Sequence, residues 1–158
     1  MGAFASHIIF GWEGKKKWQE CGMLSVCRKH QGIFEMGCQG PDLFLYNPAM
    51  LFSTYDKNLG ERMHVEKCGR FMACLADVII QQEEKGAVEV GLSYLMGLLA
   101  HYTLDTSLHP YVYARTGYDP ADPYAPKATM GIHFRLEAAI DANLIAQKLV
   151  IMPNAFYP

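Results

Sequence analysis

The segment HYTLDTSLHP places His101, Asp105 and His109 at successive four-residue steps. On a helix this spacing puts the three side chains along one face, with Cβ atoms about 5–6 Å apart, so neighbours can reach one ion. Asp105 stands in the middle and can contact ions on both sides. A second pair at the same step, His133 and Glu137, lies in HFRLEAAID. Both stretches are otherwise apolar: Leu95 to Leu99 lead into His101, and Leu136, Ile140 and Leu144 flank His133 and Glu137. A charged group on such a face is costly unless it is paired or metal-bound. One His–Asp pair at i, i+4 reads as a salt bridge, and one buried histidine as a hydrogen-bonded core residue. Two pairs on separate apolar faces, with His109 beside them, read as a metal centre.

Imidazole nitrogen combined with carboxylate oxygen suits zinc, iron, nickel or manganese, whereas magnesium and calcium prefer oxygen alone. Zinc is the expected metal. A di-iron bundle calls for two Glu-x-x-His motifs, and only Glu61 with His64 fits that pattern. The H-E-x-x-H helix of zinc proteases is absent. So is the His-Asp dipeptide of the other large class of helical metallophosphohydrolases.

These residues need elements to hold them. The chain has 158 residues, 51% hydrophobic and 19% charged, which fits one globular domain over 1–158 and excludes disorder. A net charge of −2 argues against tight duplex DNA binding, which requires phosphate neutralisation. The five cysteines, Cys21, Cys27, Cys38, Cys68 and Cys74, include no C-x-x-C pair. They read as reduced core residues of an intracellular protein, with a Cys21–Cys27 disulfide as the alternative. No charged-then-apolar leader opens the sequence, and VGLSYLMGLLA is too short to span a bilayer, so the expected location is cytoplasmic.

Nothing in the sequence alternates as a strand. Residues 3–20 form a helix weakened by Gly11 and Gly14, with Lys15–Lys17 as a solvated face. GIFEMGCQGPDLFLYNP is punctuated by glycine and proline and reads as a loop with apolar anchors. From Glu61 to Gln82, His64, Cys68, Phe71, Leu75 and Val78 share one helix face. A central helix buried all round runs from Ala87 to His109 and is ended by Pro110. A tyrosine- and proline-rich loop follows, and a last helix covers Thr129 to Val150. The expected class is all-α: four or five packed helices.

Taken in order, SHIIFG, GCQGPDLFLY, MH, HYTLDTSLHP and HFRLEAAID resemble the zinc-dependent phospholipase C family, which is itself similar to the single-strand-specific zinc nucleases. The resemblance covers residues 3–145. It implies a compact multi-helix bundle of that type, C-terminally short, since the chain ends 21 residues after Glu137 whereas family members continue. It also implies a cleft with two to three zinc ions. Asp42, His64, His101 and Asp105 would hold one; His109, His133 and Glu137 a second; Asp105 and His7 a third. In secreted members an N-terminal tryptophan completes the third site, and none stands there in this chain. Asp141 would orient a ligand histidine, while His30 matches no ligand position.

The activity so implied is phosphodiester hydrolysis, phospholipase C-like. Paired zinc ions about 3.5–4 Å apart clamp phosphate oxygens and acidify a water molecule, with Asp42 as ligand and base. The substrate would be a phospholipid or a related phosphodiester. Phe44, Tyr46 and the Tyr111–Tyr124 segment would form an apolar rim suited to acyl chains and peripheral membrane contact. Two alternatives stand beside this reading. One is a single-strand nuclease-like phosphodiesterase, with Arg115, Lys127 and Arg135 near the site segments. The other is a non-catalytic, metal-stabilised helical module, which closed four-ligand sites would favour.

Overall fold

A computed structural model describes residues 4–45, 59–119 and 127–148. All regular structure in them is helical, with no strand. The helices are α1 (Phe4–Glu13), α2 (Lys15–Glu20), α3 (Leu24–Lys29), α4 (Gln31–Gln39), α5 (Asp42–Leu45), α6 (Leu59–Val65), α7 (Cys68–Ile80), α8 (Lys85–Thr116) and α9 (Lys127–Lys148). The all-α expectation holds, with short helices where fewer, longer ones were expected. None of these helices is long and apolar enough to cross a membrane.

α8 is the axis of the fold, packed by α1, α3, α4, α7 and α9. Its tightest crossing is with α4, and two glycines permit it. A Cβ on Gly37 would stand 2.3 Å from the Tyr94 carbonyl oxygen, and one on Gly97 2.1 Å from that of Phe34. Backbone therefore meets backbone, and Phe34, Cys38 and Leu98 are fully buried around the crossing. Gly97 lies one turn before His101, so this contact sets the depth of the first ligand. α8 is not buried all round, however: Val90 and Leu99 are exposed at 37% each.

The segment expected as a loop is α4 followed by α5. Its glycines serve packing as well as turning. Gly40 ends α4 at φ +47°, ψ −127°, a backbone region that glycine alone enters freely. Buried Pro41 follows, and Asp42 opens α5. The helix expected over residues 61–82 is broken at Lys67, which adopts a left-handed conformation with φ 54°. His64 thus sits on α6 and the rest of that stripe on α7. The break turns the register, so Ile79 is the buried residue of α7, while Phe71 and Val78 face solvent.

Pro110 lies inside α8 and does not end it. Proline in a helix interior costs about 3 kcal/mol. Beyond it, Val112 is fully buried and Thr116 nearly so, with Thr116 Oγ1 donating to the Val112 carbonyl at 2.8 Å. Burial of that last stretch offsets the lost hydrogen bond. All five thiols are free. Cys27 and Cys38 are buried as expected, but Cys21 and Cys74 are exposed and do not belong to the core. Lys16 and Lys17 are solvated, in line with expectation.

Candidate metal centre

Five helices deliver the predicted ligands to one place. α1 brings His7, α5 Asp42, α6 His64, α8 His101, Asp105 and His109, and α9 His133 and Glu137. They form three groups, each with ligand atoms within 4.8 Å of one another: His7, His101 and Asp105; Asp42, His64 and His101; and His109, His133 and Glu137. This grouping follows the expected sets, with His101 shared where only Asp105 was expected to be.

Asp105 is the hub. Its Oδ1 lies 3.4 Å from His7 Nε2 and 3.9 Å from His109 Nε2, and its Oδ2 lies 3.3 Å from His101 Nε2 and 3.6 Å from His64 Nε2. Asp42 Oδ1 adds a contact of 3.1 Å to His64 Nε2. In the third group Glu137 Oε1 lies 2.9 Å from His133 Nε2 and 3.3 Å from His109 Nε2.

The positions of two rings are fixed from behind. His101 Nδ1 is 3.0 Å from the Cys38 carbonyl oxygen and His64 Nδ1 is 2.7 Å from that of Gly60. A carbonyl only accepts, so each Nδ1 carries a proton, and Nε2 is the atom left to meet a second proton or a metal ion. Those two Nε2 atoms face each other at 3.4 Å, with Asp105 Oδ2 before both. Acceptors that converge on acceptors call for positive charge between them, a proton or a metal ion. The same electrostatics shows in the titration of His64. Burial lowers its pKa, but the bonds to Asp42 and to the Gly60 carbonyl outweigh burial and raise it. Burial likewise lowers His109, and Glu137 and Asp105 outweigh it. Burial pushes the Asp105 carboxyl up, yet the surrounding imidazoles, His101 foremost, hold it at about 2. Glu137 is held at about 2 by His109 and His133 against the same burial. His7 is pulled down to about 4, first by burial and then by the neighbouring His101, and is neutral near pH 7. Its Nδ1, His133 Nδ1 and Glu137 Oε2 are buried without hydrogen-bond partners among the described residues. This nitrogen–oxygen donor set, rich in convergent lone pairs, fits a transition-metal ion, zinc among several, and does not single one out.

Seven of the eight candidate ligands, all but His101, stand on the wall of a cavity of about 530 Å³. Leu45, Val65, Met130 and Phe134 give it apolar surface, and it is lined by Tyr113 near the end of α8 and by Tyr118 just beyond that helix. Glu61 is at its rim, and among the described residues no lysine or arginine lines it. Arg115 and Arg135, expected near the site, are therefore not part of the wall. His101 lies behind the wall with no exposure. Of the expected rim, Phe44 is half-buried and outside the lining, and Tyr46 and Tyr124 lie outside the described residues.

Asp141 acts differently from expectation. Its carboxylate does not touch a histidine; it accepts the backbone N–H groups of Ala5 at 2.8 Å and Ser6 at 2.9 Å. These are first-turn donors that a helix cannot satisfy internally. Asp141 thus caps α1 from α9 and sets His7, one residue on, against the centre. His30 is remote from the ligands as expected, with Nε2 3.5 Å from Glu89 Oε2. Sequence reasoning missed the carbonyl anchor of Cys38, which depends on a chain crossing, that of Gly60, which stands one turn before His64 on α6, and the place of Tyr113 beside the site. The last left a signal: Tyr113 continues the step of four from His101 through Asp105 and His109. Tyr102, beside His101, donates its hydroxyl to the Met63 carbonyl at 2.6 Å and so ties α6, with His64, to α8.

The chain matches no family model, no curated protein and no solved structure.

Proposed function

We propose that this chain is a zinc-dependent phosphodiester hydrolase, phospholipase C-like, with a phospholipid or related phosphodiester as substrate. One observation carries the reading: eight side chains from five helices aim acceptor atoms at shared points on the wall of an apolar cavity. Asp42, His64, His101 and Asp105 would hold one ion, His109, His133 and Glu137 a second, and His7 with Asp105 a third. When bound, clustered zinc supplies positive charge for the phosphate oxygens and lowers the pKa of water. The chain supplies the rest. Asp42 faces the cavity with Oδ1 on His64, and its Oδ2, with no hydrogen bond among the described residues, is the proton acceptor. Leu45, Val65, Met130 and Phe134 take the apolar part of the ester and exclude bulk water. A wall with no described lysine or arginine favours a lipid ester over a nucleic-acid strand, which needs a cationic track.

The test is metal content by elemental analysis of wild type and Asp105→Asn, purified without added metal, followed by hydrolysis assays on phospholipid vesicles and single-stranded DNA. Two to three zinc per chain, fewer in the variant, with lipid turnover lost on chelation, is the expected outcome. Less than about half an equivalent of any transition metal after zinc reconstitution would sink the reading. Full loading without turnover of either substrate would leave a metal-stabilised module.

A further inference from the structure

Two pairs of histidines in the centre are held in different ways. His101 and His64 anchor Nδ1 on backbone carbonyls, Cys38 O and Gly60 O. Such a bond fixes both tautomer and ring plane, and losing it typically weakens metal binding 10–100-fold. Among the described residues His109 and His133 have no such anchor: neither makes a hydrogen bond through Nδ1, and that of His133 is buried without a partner.

What the two rings share is Tyr113. Its ring stacks on His109 at a centroid distance of 5.1 Å and an interplanar angle of 9°, and on His133 at 5.6 Å and 27°. The two imidazoles are themselves 5.6 Å apart. Tyr118 closes the other side, edge-on to His133 at 5.1 Å and to Tyr113 at 5.9 Å. The Tyr113 hydroxyl makes no hydrogen bond among the described residues, so the contact is made by the ring. Aromatic pairs of this kind have preferred geometries and resist ring rotation.

We infer that Tyr113 is a positioning residue: its ring, stacked on both imidazoles, replaces the missing carbonyl anchors and aims His109 and His133 Nε2 at Glu137 and at the metal ion of that group. The inference rests on the metal centre proposed above. It sets a pair of histidines oriented by carbonyl hydrogen bonds, His64 and His101, against a pair oriented by stacking on Tyr113, His109 and His133.

The experiment is zinc affinity by competition with a chromophoric chelator, on full-length wild type, Tyr113→Phe, Tyr113→Leu, Glu137→Gln and the Glu137→Gln/Tyr113→Leu double variant. Tyr113→Leu should weaken one zinc equivalent about 10-fold or more and leave the others unchanged, and Tyr113→Phe should stay within about threefold of wild type. On the Glu137→Gln background the leucine substitution should cost the remaining ions nothing, because the group it serves is already lost. A general packing role would instead weaken every ion on both backgrounds. If Tyr113→Leu does not fold by circular dichroism, Tyr113→Met refills the volume without a planar ring and is read in the same way. Leucine or methionine variants that bind like wild type would overturn the inference while the metal centre stands, and so would a loss in Tyr113→Phe equal to that in Tyr113→Leu. Wild type that takes up no zinc would overturn both.

Discussion

Asp105 concentrates the logic of the site: one carboxylate, four imidazoles, and each oxygen facing two of them. Its position was legible because a four-residue step is a local property of a helix. That of His7 was not, since nothing near it in sequence indicates a ligand; only the resemblance pointed there. His7 also gives a pH signature for the metal-free chain. Its pKa falls from 6.5 to about 4 on folding, so between those values the unfolded chain binds more protons and stability drops as pH falls. Asp105 and Glu137, both depressed to about 2, add their losses only below their ordinary values of 3.8 and 4.5. His64 and His109 are raised, so their contributions are complete below pH 6.5 and are lost as pH rises through their folded values. The metal-free protein should therefore be most stable near pH 6.5, losing on the order of 3 kcal/mol toward pH 4 through His7. Urea unfolding in chelator across pH 4.5 to 6.5 measures this, and His7→Gln should flatten that window. An unchanged slope in the variant would assign the effect elsewhere.

At the scale of elements, two devices place the ligands, and neither depends on a ligand. The first is the α4–α8 crossing at Gly37 and Gly97. A methyl group at Gly97 would meet the Phe34 carbonyl, the Cys38 nitrogen and the Gly37 carbonyl carbon, all under 3.0 Å. Gly97→Ala should cost about 3 kcal/mol by overpacking, read by urea unfolding. It should also weaken zinc binding, because His101 moves with α8 while its Cys38 anchor moves with α4. A variant as stable as wild type would mean that the helices separate freely. The second device is the Asp141 cap on α1. Asp141→Ala should cost about 1–2 kcal/mol, as cap removal does, and should reduce zinc affinity by loosening His7. If stability falls and affinity does not, α1 is held firmly enough by the rest of its packing. The sequence misled at this scale for one physical reason. Glycine and proline are read as breaks at Gly37, Gly40 and Pro110, yet Gly37 is a contact point against α8, Gly40 turns one helix directly into the next, and Pro110 is carried through by the burial of Val112 and Thr116. Conversely, the break at Lys67 has no glycine or proline to announce it.

At the scale of the molecule, the ligands span the chain from His7 to Glu137 and sit on five helices, of which α1 and α9 pack on α8 and on each other, while α5 and α6 pack on each other. The helical class was legible because no segment alternates as a strand and stretches such as 61–82 repeat apolar residues at helical spacing. The meeting of these helices at one cavity was not, because it depends on crossings between distant segments. A bound metal is a cross-link among those segments that the unfolded chain cannot reproduce. Ligands that bind only the native state stabilise it by RT ln(1 + [L]/Kd), about 4 kcal/mol per site at a thousandfold excess over Kd. The centre also carries its own penalty when empty, since buried carboxylates and imidazoles converge there and Glu137 Oε2 is left unpartnered among the described residues. Chelation should therefore lower the melting temperature by well over 10 °C for a chain of this size, at roughly 2–4 °C per kcal/mol. Zinc should restore it, and calcium, which favours all-oxygen shells, should not. The effect should depend on zinc concentration with more than one phase if the groups load separately. A melting temperature indifferent to chelator would mean that hydrogen bonds alone hold the stripe His101–Asp105–His109, and that its four-residue spacing serves stability without a metal.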